Sequence, residues 1–138
     1  MKKAVSVLFL MMALAISGLA RADQLLTYEP VVNEVKGAVI KGKFQHTNGQ
    51  WVKFWFLKLT TPAKINADSL NDINGSENGI REIQLYSDNP ALRKKLDRCN
   101  GKRVSVNGTL FHEHTAWHVR TLVMDVQGIN MTPLRKKL

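Results

Sequence analysis

One helix start, set among strand-like stretches, constrains this chain more than any other feature. At Ser87-Asp88-Asn89-Pro90 a capping side chain precedes a proline at the first helical position, where its missing N–H costs nothing. Leu92 and Leu96 then share one face at i, i+4, with Arg93, Lys94 and Asp97 outward, and Asn100-Gly101 supplies the C-cap. The pattern predicts a short helix from Pro90 to Cys99.

Five stretches around it read as strands. Asn33 to Phe44 is long and carries Gly37 and Gly42, where the backbone is expected to bend or bulge. His46-Thr47-Asn48-Gly49-Gln50 has the Asn-Gly hairpin signal. Trp51 to Leu59 follows, with Trp51, Lys53, Trp55, Leu57 and Leu59 on one face and Val52, Phe54, Phe56 and Lys58 on the other; Pro62, which cannot donate to a ladder, is expected to end it. Ala63 to Gly79 reads as a long polar loop, and Ile80 to Tyr86 as the third strand. After the helix, Lys102 to His112 alternates, and His118 to Val126 follows a hairpin connection at Glu113 to Trp117.

A helix between the third and fourth of five strands is the order of an OB-like Greek-key barrel, so the expected fold is mostly β, a five-stranded OB-like barrel. A β-sandwich, or an SH3-like barrel with an inserted helix, remains open as an alternative.

The first 22 residues read as a cleavable signal peptide. Lys2 and Lys3 give a positive start, Ala4 to Leu19 an apolar run, and Ala20-Arg21-Ala22 an A-x-A site before Asp23. The run is shorter than the ~20 residues of a spanning helix, and no cysteine follows for lipidation. Residues 23–138 are then one domain with a short basic tail, expected in a bacterial periplasm or secreted. Three of the 20 basic residues (Lys2, Lys3, Arg21) leave with the signal, so the formal charge falls from +9 to +6. That surplus favours acidic partners without choosing among them. Cys99 is alone, so no internal disulfide forms and an apolar core must carry the fold.

Gly101 to Thr115, which contains G-T-L-F-H-E-H-T, resembles a family of small secreted bacterial proteins catalogued only as a domain of unknown function, as do Arg81-Glu82-Ile83-Gln84-Leu85 and Leu26-Thr27-Tyr28-Glu29-Pro30. Relatives typically carry a glycine and further histidines where this chain has Ala116, Trp117 and His118. The resemblance implies export and this fold, and assigns no chemistry.

Two candidate sites emerge. The aromatic strand offers Trp51, Lys53 and Trp55, joined by Tyr86, as a ligand-binding face, because OB barrels bind oligonucleotides and oligosaccharides on their second and third strands. Trp51 and Trp55 are expected to project outward. His112, His114 and His118 bring three imidazoles into one hairpin; the i, i+2 spacing of the first two puts them on one strand face, where they could hold zinc or copper with Glu113 or His46. No nucleophile elbow, H-E-x-x-H or phosphate-cradling loop is present, so no enzyme activity and no cofactor are expected. The sequence thus reads as an exported, non-enzymatic module binding a glycan, another polyanion or a protein partner, with nucleic acid disfavoured by export. The alternatives are a periplasmic metal-binding protein and an inhibitor or immunity protein of a toxin or cell-wall enzyme.

Overall fold

A computed structural model describes residues 22–115 and 117–131. The segment expected to be a signal peptide, Ala22 apart, and the basic stretch at Arg135 to Lys137 lie outside the described residues. No described helix is long and apolar enough to cross a membrane.

The described residues are mostly β with one short helix: β1 (Gln24–Leu26), β2 (Val32–Gln45), β3 (Trp51–Ile65), β4 (Glu77–Tyr86), α1 (Pro90–Arg98), β5 (Arg103–His112) and β6 (Leu122–Met131). These six strands form one mixed sheet in order β1-β3-β2-β5-β6-β4, and a further β3–β4 pairing closes it into a ring. All neighbours run antiparallel except β4 with β6 and β1 with β3.

Closure depends on β2 serving two neighbours. Its residues 37–45 pair with β3 and its residues 32–38 with β5, and Gly37 faces both Leu59 and Val104. A Cβ on Gly37 would stand 2.3 Å from the Lys58 carbonyl oxygen, so the strands can approach there only around a glycine.

The core fills the ring with Val35, Val39, Leu57, Ile83, Leu85, Val104, Val106, Leu110, Met124 and Ile129. α1 plugs one end with Leu96 and Cys99, while Leu92 is only half-buried. The Asn89 side chain accepts from the Ala91 N–H at 2.9 Å, and Pro90 opens the helix, as the capping signature predicts. Gly49 and Gly101 take the left-handed backbone expected of a hairpin turn and a helix exit.

The structure corrects the sequence reading at four places. Among the described residues there are six strands rather than five, because three residues are too few to give β1 a periodic signal. β3 does not end at Pro62. Its pairing with β2 stops at Leu59, its pairing with β4 is interrupted between Lys58 and Ala63, and β1 joins only from Ala63, so no neighbour requires the N–H that Pro62 lacks. The polar loop is therefore shorter, 66–76, and it is ordered by Asp68 and Asn71, whose side chains accept from the Leu70 and Ile73 N–H groups. β6 starts at Leu122 rather than His118, because residues 117–120 fold onto β4 and β3: Gln84 binds the Trp117 carbonyl at 3.0 Å and the Val119 N–H at 2.7 Å.

Candidate functional site

The His46–Gln50 turn fixes the register of the β2–β3 hairpin, with Lys41 opposite Trp55, Lys43 opposite Lys53 and Gln45 opposite Trp51. These six side chains share the parity of core residues Val39 and Leu57 and run from the core edge at Trp55 to the turn at Trp51. They form one outward face at the hairpin end, bounded by the last turn of α1.

The two tryptophans of this face differ. Trp51 is 65 % exposed. Trp55 is half-buried, packs against the core, and donates its Nε1–H to Asp97 Oδ1 at 3.0 Å. The expectation of two outward indoles is corrected for Trp55, since its strand neighbour Leu57 is already core and α1 closes over the next position. Lys53 is exposed between them.

Asp97 organises the rim. Lys41 Nζ reaches the same Oδ1 at 2.8 Å, and the Lys41 N–H donates to Asn100 Oδ1 at 3.0 Å. The Lys41 hydrogen bond leads in holding the Asp97 carboxyl below its ordinary range, with support from the Trp55 indole and the Lys53 charge. Tyr86 does not join this face. Leu85 is the partner of Trp55, so Tyr86, one residue on, has the opposite parity, and its hydroxyl bonds to Asp88, which leads in raising the phenol's pKa.

The reverse face of β2 and β3 is also aromatic but covered. Phe54 lies over Gly42, where a Cβ would stand 2.9 Å from its ring, and stacks with Phe56 at 5.7 Å between centroids. The Arg120 guanidinium sits 4.8 Å from the Phe56 centroid and 5.7 Å from that of Phe54, and its Nε bonds to Glu82 at 2.7 Å. His46 stacks on Trp117 at 4.1 Å, so the β2–β3 turn meets the β5–β6 connection above this face.

The three hairpin histidines do not converge. β5 ends at His112, so the alternation that would align His114 with it stops there. His112 turns to the Glu77 carboxylate at 3.1 Å and to the Glu113 carbonyl at 3.2 Å. His114 and His118 instead face each other, ring centroids 4.9 Å apart, and His118 Nδ1 accepts the His114 N–H. Burial pulls the His112 pKa down, but the hydrogen bonds to Glu77 and Glu113 outweigh it and leave it raised; burial, then the His114 charge, lowers that of His118. Among the described residues no three His, Cys, Asp or Glu side chains gather in a metal-holding group. His46, expected as a further ligand, is committed to Trp117.

Beside His114 a cleft of about 280 Å³ is lined by Glu29, Asn71, Ile73, Asn74 and Phe111. Asn74 is buried; its Oδ1 accepts from the His112 N–H at 3.0 Å, and its Nδ2 has no partner among the described residues. Tyr28, also buried, bonds to the Gly75 carbonyl, and burial with the nearby Glu77 and Asp68 charges pushes its pKa up to about 12.

Residues 82–130 match the family described as Domain of unknown function (DUF4431). The match covers the end of β4, α1, β5 and most of β6, and includes Gly108 to Thr115, where the sequence resemblance is sharpest. The family description assigns no activity, and the Trp51 and Lys53 face lies outside the matched segment. No curated protein and no solved structure matches the chain.

Sequence reasoning missed Lys41, Lys43, Asp97 and Arg120. The hairpin register could have found the first two, because an Asn-Gly turn between Gln45 and Trp51 sets every pair below it. Asp97 and Arg120 arrive from distant segments and leave no local signal.

Proposed function

We propose that the protein is an exported, non-enzymatic binding module of the OB type that holds a glycan on the hairpin face of Trp51, Lys53 and Trp55. The OB reading draws support from the ring order, the parallel β4–β6 pairing and the position of α1 between β4 and β5. Export, to a periplasm or medium, draws support from the Ala20-Arg21-Ala22 site.

The observation that carries the binding reading is the 65 % exposure of the Trp51 indole beside Lys53. An exposed indole forfeits the burial that normally justifies tryptophan, and its flat apolar face with a polar N–H suits a sugar ring. The continuous β2–β3 pairing and the Asp97 tie on Trp55 hold the face in place before a ligand arrives, which reduces the entropy lost on binding. OB barrels commonly bind on the outer face of their second and third strands, but here Arg120 and the 117–120 segment occupy that side. The hairpin end carries the most exposed aromatic ring among the described residues, that of Trp51.

Tryptophan emission during titration with neutral and acidic oligosaccharides tests this. The emission is expected to change saturably, and Trp51→Ala is expected to lose affinity without losing stability. Full affinity in Trp51→Ala counts against the site.

A further inference from the structure

Lys43 and Lys53 are cross-strand partners on the hairpin face, both exposed. Directly opposed side chains have Cβ atoms about 4.5–5.5 Å apart, and like charges in that position oppose folding. Neighbouring Lys41 is neutralised by Asp97 at 2.8 Å. The remaining ion pairs among the described residues are His112–Glu77 and Arg120–Glu82, both elsewhere, so neither Lys43 nor Lys53 has a carboxylate within 4.0 Å among those residues. Two exposed lysines with no direct carboxylate partner are therefore opposed across the strands, one same-face pair along from the exposed Trp51.

We propose that this pair seats an acidic group, so that the ligand is an acidic oligosaccharide whose carboxylate, sulfate or phosphate bridges Lys43 and Lys53 while an adjacent sugar ring lies on Trp51. This rests on the reading of the face as a glycan site and names the class of glycan. A shared anion removes the repulsion between the two ammonium groups and gains charge-assisted hydrogen bonds from both. The arrangement accepts one charge beside one ring. The next position along the strands is held by Asp97, which would repel a second anion, and Trp55 is tied down, so only one indole is free to stack. A nucleic acid strand, with a phosphate on every unit and a base to stack on each, matches this spacing less well than a sugar acid with separated charges.

The test titrates the exported chain with oligogalacturonate and with the same oligomer fully methyl-esterified, following tryptophan emission at low and at physiological salt. The acidic form is expected to bind more tightly than the ester and to weaken with salt. Lys43→Gln and Lys53→Gln are each expected to weaken the acidic form by roughly two- to fivefold, to leave the ester unchanged, and to melt no lower than the parent, since each removes a repulsion. Lys58→Gln, on the reverse face, is expected to change neither affinity. Equal binding of acid and ester, unaltered affinity in both lysine variants, or no binding of the acid overturns the proposal, as does tighter, lysine-dependent binding of a single-stranded DNA dodecamer. If Trp51→Ala weakens both oligomers while the lysine variants do not, the glycan face stands and only the acidic seat falls. If Trp51→Ala binds both oligomers like the parent, the glycan reading itself falls.

Discussion

Asp97 Oδ1 accepts both the Trp55 indole N–H, at 3.0 Å, and the Lys41 ammonium, at 2.8 Å, so one helix carboxylate fixes the rim of a strand hairpin. Replacing it with asparagine removes the charge but keeps an acceptor. Asp97→Asn is expected to cost at most about 1 kcal/mol, the range for an exposed ion pair, and Asp97→Ala somewhat more, with a red shift in tryptophan emission as Trp55 is released. Urea unfolding followed by fluorescence checks both. The carboxyl is held below its ordinary 3.8, so the advantage over Asp97→Asn is present above that pH and is lost as pH falls through the lowered value.

The two tryptophans are expected to separate in stability. Trp55→Ala leaves a gap against the core and is expected to cost about 2 kcal/mol, part of the ~3–5 kcal/mol of a fully buried ring. Trp51→Ala is expected to stay within ~0.5 kcal/mol of the parent. Equal losses in a denaturant series would contradict the difference in burial.

The His112–Glu77 contact gives a pH dependence of opposite sign. The histidine pKa is raised above 6.5, so its ion pair stabilises the fold at acid pH and that contribution disappears as pH rises through the raised value. Glu77→Gln is accordingly expected to lie furthest below the parent at pH below about 6 and to approach it above pH 8. Thermal melts across that range decide the matter.

Gly37 and Gly75 form a matched pair of substitutions. At Gly37 a Cβ meets the Lys58 carbonyl oxygen at 2.3 Å, whereas at Gly75 nothing lies within 4 Å. Gly37→Ala is expected to cost at least ~1–3 kcal/mol because backbone must move, and Gly75→Ala to remain near neutral.

Much of the fold is legible along the chain because its determinants are local. Asn89-Pro90 starts the helix, Asn48-Gly49 turns the hairpin, and period-2 alternation marks β5 from Val104 to Leu110. The end of β3 is not legible, because whether Pro62 can be tolerated depends on which neighbour lies beside it. Nor is the separation of His112 from His114, which turns on the strand stopping at His112 and on Glu77 arriving from β4. At the candidate site, Trp51 and Lys53 can be read as one face from their spacing. That Trp55 is tied down while Trp51 is free depends on where α1 crosses the strands, and that is a property of the assembled ring.

Ligand is expected to sit on the hairpin end rather than on the covered reverse face or beside the histidines. Backbone amide shifts of ¹⁵N-labelled protein during titration with oligogalacturonate test it most directly. The largest changes are expected at residues 41–45 and 51–55, with the Trp51 indole N–H shifting in parallel. Changes concentrated at Phe56, Arg120 and Trp117, or around Asn74 and His114, would contradict it.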